Sequence, residues 1–210
     1  RELIDHVGQY KDLKFPAQLT DAPEMVLRGG CVGIQKMEYL PGRGVYEYPY
    51  TPESFPWFYD KEQWIKYLDM LVENRMNSLY LWNGHPFASL VKLEEYPFAV
   101  EVDEETFKKN EEMFSFLTAE ADKRGIFVIQ MFYNILLSKP FAEHYGLKTQ
   151  DRNRPITPLI SDYTRKSVAA FIEKYPNVGL LVCLGEAMDT YEDDVEWFTK
   201  TIIPGVKDGL

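Results

Sequence analysis

The sequence predicts an α/β fold made of about four parallel βα units, which is half of a TIM-type (βα)8 barrel. Short apolar runs alternate with amphipathic stretches of helical period, and the runs begin about every 50 residues. Alternating strands and helices imply a parallel sheet with right-handed connections. Four units are too few to close an eight-stranded barrel, so the alternatives are half a barrel or a complete open α/β domain. We favour the half barrel, because long loops follow the strands and the chain stops after a helix.

Four apolar runs are the predicted strands, and each leads into polar residues. The first contains Arg28, a charge that we expect to be paired or to face a cavity. The last is uninterrupted by charge until Glu186, which is typical of a buried strand. The predicted strands are residues 25–34, 77–82, 126–132 and the run 178–188, in which the strand ends at Glu186.

An amphipathic segment with helix start or stop signals follows each strand. Asp60 has the pattern of an N-cap, and Lys123-Arg124-Gly125 is typical of a helix end. The second helix is expected to start near Asp103, with acids in its first turn. We expect Ser161 or Asp162 to cap the third helix. The predicted helices are residues 60–75, 103–125, 161–175 and the segment after Thr190, which Pro204-Gly205 breaks or kinks.

The chain divides into two parts. Residues 1–24 are polar and contain two prolines, so we expect a loop-like leading segment or linker. Residues 25–210 are the predicted N-terminal half of a TIM-barrel catalytic domain. Two long loops, residues 35–59 and 135–160, follow the first and third strands. The first is rich in Tyr and Pro, so it is either a wall for an apolar-faced ligand or a packed lid.

The composition argues against several classes of function. A net charge of −10 disfavours binding to nucleic acid and to anionic membranes, since both require basic surfaces. No apolar run is long enough to span a membrane. No close Cys/His cluster has a metal-site spacing, so we expect no metal and no cofactor. Cys31 and Cys183 lie in apolar runs and are predicted to be buried free thiols.

Polar and aromatic residues follow the predicted strands. Because the carboxyl ends of parallel strands meet at one edge of a sheet, we expect these residues to line one site. A carboxylic acid among amides, a phenol and an imidazole suits binding of a hydroxyl-rich substrate with proton transfer to a leaving oxygen. Glu186 is the candidate general acid; its alternative role is to stabilise the start of the next helix. The candidate substrate-binding residues at these ends are Trp82, Asn83, His85, Tyr133 and Asn134, each with packing or turn formation as the alternative.

Two short motifs carry a family resemblance. Arg28-Gly29, together with the run 77–82 after an amphipathic helix, resembles the start of the barrel in the β-hexosaminidase and α-glucuronidase group of glycoside hydrolases. The resemblance implies a (βα)8 barrel, a contact between Arg28 and the sugar, and protonation of the glycosidic oxygen by Glu186.

The chain departs from the better-known motifs of these enzymes at the fourth strand. Hexosaminidases that use the substrate's acetamido group carry two adjacent acids there, and a large clan of retaining enzymes carries Asn-Glu, whereas this chain has Gly185-Glu186. An α-glucuronidase-like member tolerates a lone Glu better, and Arg28, Arg152 or Lys36 would then meet a uronate. Otherwise Arg152 and Arg154 are expected to lie on a solvated loop.

The expected function is hydrolysis of glycosidic bonds in a poly- or oligosaccharide, with the second carboxylate outside this chain and the fragment inactive alone. The alternative is a non-catalytic carbohydrate-binding or structural module. A nucleotide-binding domain is disfavoured, because the glycine-rich first run lacks a phosphate-loop spacing. We expect a carbohydrate as the partner and self-association through exposed sheet edges. A glycan-degrading role would favour a secreted or periplasmic location.

Overall fold

The computed structural model describes residues 2–11, 22–35, 49–133, 135–151, 153–184, 188 and 190–210. Within them, four strands form one parallel sheet in the order β1-β2-β3-β4. The strands are β1 (Gly29–Gly33), β2 (Ser78–Trp82), β3 (Phe127–Tyr133) and β4 (Val178–Cys183). The predicted α/β fold of parallel βα repeats is confirmed, and this sheet is consistent with half of a barrel.

A helix precedes the first strand, and helices follow every strand. In the described part of the chain they are α1 (Glu2–Tyr10), α2 (Lys61–Glu73), α3 (Phe87–Leu90), α4 (Glu104–Lys123), α5 (Lys139–Tyr145), α6 (Pro158–Lys174), α7 (Tyr191–Trp197) and α8 (Ile203–Asp208). Two 3-10 turns cover Pro56–Tyr59 and Pro97–Ala99, and a π-helical stretch, Phe198–Ile202, joins α7 to α8. None of these helices is long and apolar enough to cross a membrane.

The two faces of the sheet differ in burial. Side chains alternate along each strand, so one face receives the helices and the other does not. Leu79, Leu81 and Val128 are buried on the helix-covered face. Cys31 and Leu181 lie on the opposite face and are exposed. The side of the sheet that would face a barrel interior is therefore the open side.

The helix caps explain where most helices begin and end. An Asp60 side-chain oxygen accepts a hydrogen bond from the Gln63 main chain at 3.0 Å, and Asp103 does the same for Thr106 at 2.7 Å. Gly125 has a φ of 67°, which suits a glycine after a helix end. The predicted Asp60 cap, the start of the second predicted helix near Asp103 and the helix end at Gly125 are confirmed.

The start of the third predicted helix is wrong. Helix α6 begins at Pro158, and Thr157 is its N-cap rather than Ser161 or Asp162. The reason is local, because proline lacks an N–H and its fixed φ suits the first helical turn. The Thr157 side chain caps the helix by accepting a hydrogen bond from the Ile160 main chain.

Several predicted loops contain helices. Residues 1–24 are expected to be loop-like, yet α1 lies there, and α5 interrupts the predicted loop 135–160. Helix α5 has a Ser138 N-cap and ends at Gly146, whose φ of 65° lies in the left-handed region. Short helices with two such local signals are easily missed, because they are too brief to show a hydrophobic period.

The first strand is shorter than predicted. It begins at Gly29, and Arg28 precedes it. A side chain on Gly29 would collide with the Ser78 main chain, which is the close backbone approach that a glycine-rich run predicts. The predicted burial of the two thiols is wrong, since Cys31 is exposed and Cys183 is half-buried, and both cysteines are free.

Candidate active site at the carboxyl ends of the strands

Two aromatic side chains meet at the carboxyl end of the sheet. Trp82 ends β2 and Tyr133 ends β3, and both lie on the open face. Their ring centroids are 5.1 Å apart with an interplanar angle of 65°, an edge-to-face arrangement that aromatic pairs favour. Both rings are half-buried. The pair therefore forms an apolar corner that solvent and a ligand can reach.

The candidate general acid follows the neighbouring strand. Cys183 ends β4 and pairs with Tyr133 across the sheet. Glu186 itself lies outside the described residues, as do Asn134, Arg152 and Lys36.

Gln35 joins this corner and is a residue that the sequence analysis missed. The Trp82 indole nitrogen donates a hydrogen bond to the Gln35 side-chain oxygen at 2.5 Å. Strand alternation contains the signal that would have found it. Gly33 pairs with Trp82, and a residue two positions later lies on the same face of the extended chain.

Asn83 is buried, with 1% of its surface exposed, and its side-chain amide links the end of β1 to the turn after β2. Its side-chain nitrogen donates to the Ile34 carbonyl at 2.8 Å, and its side-chain oxygen accepts from the His85 main chain at 2.9 Å. These bonds use both ends of the amide within the protein. They hold the end of β1 and the turn after β2 in place.

His85 is buried beneath the same edge. Its Nε2 atom shares a hydrogen bond of 2.8 Å with the Tyr163 hydroxyl, and its ring lies edge-on to Phe87. Burial lowers the pKa of His85 to about 3, because a charged imidazole would lose its hydration there. His85 is therefore a neutral ring packed behind the corner.

Arg28 lies at the opposite end of the sheet. It precedes β1, and its side chain donates to the main-chain oxygens of Arg75 at 3.0 Å and of Met25 at 2.6 Å. The expectation that Arg28 is paired is confirmed. Its position separates it from Trp82, Tyr133 and the other candidates by the length of the strand, so the structure does not bring it into their group.

Two other residues differ from expectation or add to it. Arg154 is buried rather than solvated, and its guanidinium donates to the Lys148 carbonyl. His144, a residue with no evident role in the sequence, stacks on Phe98 with ring centroids 4.1 Å apart. Among the described residues, no group of three His, Cys, Asp or Glu side chains is placed to hold a metal ion.

No family model and no curated protein matches the chain. Solved structures do match it. The structure of a GH138 enzyme targeting pectin rhamnogalacturonan II is 83% identical over 100% of this chain, with a TM-score of 0.95. The match covers 24% of that protein, so this chain spans about a quarter of its length.

A second solved structure shows the fold alone. A glycoside hydrolase family 20 β-N-acetylglucosaminidase matches 90% of this chain and 42% of its own, with a TM-score of 0.52 and 12% identity. The predicted resemblance to barrel glycoside hydrolases is thus confirmed, since the chain is similar over all its residues to about a quarter of a GH138 glycoside hydrolase.

Proposed function

We propose that this chain is the N-terminal part of the barrel of a glycoside hydrolase that acts on a pectic polysaccharide such as rhamnogalacturonan II. The observation that carries the proposal is the 83% identity to a GH138 enzyme targeting that polysaccharide. In the proposed reaction Glu186 protonates the glycosidic oxygen of the leaving group. The second carboxylate that hydrolysis requires lies outside this chain, so the chain alone does not turn over substrate.

The register of β3 and β4 supports this role for Glu186. Cys183 lies beside Tyr133, and the chain that leaves β4 toward Glu186 starts at that point. The Trp82–Tyr133 corner lies at the same edge. A proton donor close to aromatic rings suits a sugar, because the rings cover the apolar C–H face of a pyranose while the acid meets its polar edge.

The contacts of the other candidate residues separate those that can meet a sugar from those that support the site. Trp82 and Tyr133 are the proposed sugar-contacting residues, with Asn134 next to Tyr133 in the chain. Asn83 and His85 support the site from behind, because their polar atoms bond to Ile34 and Tyr163. Arg28 takes no part in the proposed site, since it lies at the amino end of β1.

The general acid is tested by Glu186→Gln in the protein as it occurs naturally. The variant should keep more of its activity on aryl glycosides with good leaving groups than on rhamnogalacturonan II oligosaccharides, because a good leaving group departs without protonation. The high-pH limb of the kcat/KM profile should also change. Glu192→Gln is the control, since Glu192 lies exposed in the first turn of α7 and should behave as the unmodified protein.

The outcomes separate the proposal from its alternative. Unchanged turnover of both substrate types, or an equal loss on both, would contradict a role for Glu186 as proton donor. Binding of the oligosaccharide by an unmodified protein that turns over neither substrate would favour a carbohydrate-binding module instead.

We also infer that the isolated chain self-associates. Within the described residues, no strand pairs with the outer edge of β1 or of β4. Unpaired strand edges bind other chains readily. Light scattering of the isolated chain should show a mass that rises with protein concentration, and a constant monomer mass would contradict this inference.

A further inference from the structure

The end of β1 is fastened to the end of β2 by three hydrogen bonds. The Ile34 main chain donates to the Trp82 carbonyl at 2.7 Å, and the Asn83 side chain donates to the Ile34 carbonyl at 2.8 Å. The third bond runs from the Trp82 indole to Gln35 at 2.5 Å. The first two bonds fix the backbone of Ile34, whereas the third fixes the Trp82 side chain, which lies on the open face.

Strand alternation brings Gln35 to that face. Ile34 has no exposed surface and points into the core, so the next residue points the other way. A Cβ atom on Gly33 would lie 3.6 Å from the Gln35 Cγ atom, which shows that the Gln35 side chain lies back along the strand. Because Gly33 has no side chain, the Gln35 side chain can pass over it to reach Trp82.

Together, Gln35 and Tyr133 fix the Trp82 ring from two directions. The indole nitrogen is the only hydrogen-bond donor of a tryptophan side chain, and Gln35 engages it. Tyr133 meets the same ring edge-to-face at 5.1 Å. A ring held in this way does not have to be ordered when a ligand binds, so the entropic cost of binding falls.

We propose that Gln35 is a positioning residue that holds the Trp82 indole as a stacking surface for a pyranose ring. This role rests on the proposed carbohydrate-binding function of the corner. Gln35 acts through Trp82 and does not itself contact the reacting bond. Losing the acceptor should weaken oligosaccharide binding about three- to tenfold, the usual cost of ordering one large side chain.

The test combines two substitutions at Gln35 with one at Trp82. Gln35→Met keeps the length of the side chain but removes the amide oxygen, and Gln35→Glu keeps an acceptor oxygen. In protein with 15N-labelled tryptophan, the indole signal of Trp82 is identified by its loss in Trp82→Phe. Gln35→Met should shift this signal and speed its exchange with solvent, and Gln35→Glu should leave the N–H protected.

Affinity for rhamnogalacturonan II oligosaccharides is then measured by calorimetry, with thermal unfolding as the check on folding. Gln35→Met should weaken binding in the natural sequence but have no further effect in the Trp82→Phe background, because its role requires the indole N–H. An equal loss of affinity in both backgrounds, or an unchanged indole signal in Gln35→Met, would overturn the role of Gln35 but leave the proposed function standing. Absence of oligosaccharide binding by the unmodified protein would instead overturn the proposed function, and the role of Gln35 with it.

Discussion

The Nε2 atom of His85 lies 2.8 Å from the Tyr163 hydroxyl, and the two groups are buried behind the carboxyl edge of the sheet. The contact joins the turn after β2 to helix α6. Burial lowers the pKa of His85 to about 3 and raises that of Tyr163, so both groups are neutral across the physiological range. A neutral imidazole in this position makes folding sensitive to mild acid.

The first prediction is that His85 destabilises the protein as the pH falls below its ordinary pKa of 6.5. Between pH 6.5 and about 3 the unfolded chain binds a proton that the folded chain excludes, so the free energy of unfolding decreases with falling pH. The contribution at about pH 5 is about 2 kcal/mol. In His85→Gln this part of the loss should disappear, as measured by urea unfolding at a series of pH values.

The matched control for that series is His144→Gln, because His144 is exposed on α5. This variant should keep the pH dependence of the unmodified protein. The same slope in His85→Gln as in the unmodified chain would show that His85 becomes protonated in the folded state, contrary to its burial.

The second prediction concerns Asn83, whose amide bonds to Ile34 and to the His85 main chain. Asn83→Ala leaves two buried main-chain groups unpaired, and we expect a loss of about 1–3 kcal/mol in the free energy of unfolding. Asn74→Ala removes an exposed amide at the end of α2 and should change stability by at most about 0.5 kcal/mol. Equal effects of the two substitutions in denaturant titrations would argue against a structural role for Asn83.

The sequence predicted the βα repeat and the meeting of Trp82 and Tyr133 at the carboxyl edge of the sheet, because both depend on regular patterns. Strand alternation and helical period are repeated over many residues, and the Asp60 and Asp103 caps need only local contacts. Contacts across the sheet were harder to predict. The pairing of Gln35 with Trp82 depends on the register of β1 against β2. The first strand starts at Gly29, four residues after its predicted start at Met25.

The position of Arg28 was also mispredicted, because the start of the first strand was placed too early. The sequence analysis placed Arg28 inside the predicted strand 25–34, and the family resemblance implied a contact with the sugar, but the strand starts after Arg28. An arginine before a strand and one after it have the same local sequence character. Only the strand boundary decides which end of the sheet receives the charge, and boundaries are the least reliable part of a sequence-based prediction.

The third prediction separates Arg28 from the proposed sugar site. The Arg28 side chain holds the main-chain oxygens of Arg75 and Met25, so Arg28→Gln should lower the free energy of unfolding by about 1 kcal/mol. Oligosaccharide affinity measured by calorimetry should stay unchanged, whereas Trp82→Ala should weaken it. A loss of affinity in Arg28→Gln without a loss of stability would restore the sugar contact that the family resemblance implied.

The fourth prediction concerns the packing of α8 on α6. A Cβ atom at Gly205 would lie 2.7 Å from the Arg165 carbonyl oxygen and 3.0 Å from the Val168 Cβ atom, so no side chain fits without moving a helix. Gly205→Ala should therefore destabilise the protein by about 1–3 kcal/mol, as expected for overpacking. Gly8→Ala in α1 is the control, because in the described part of the chain no atom beyond the adjacent backbone of α1 lies within 4 Å of the Cβ position there, and alanine favours helix over glycine. Thermal unfolding should show a lower Tm only for Gly205→Ala, and a Tm unchanged by that substitution would show that α8 can move away from α6 at little cost.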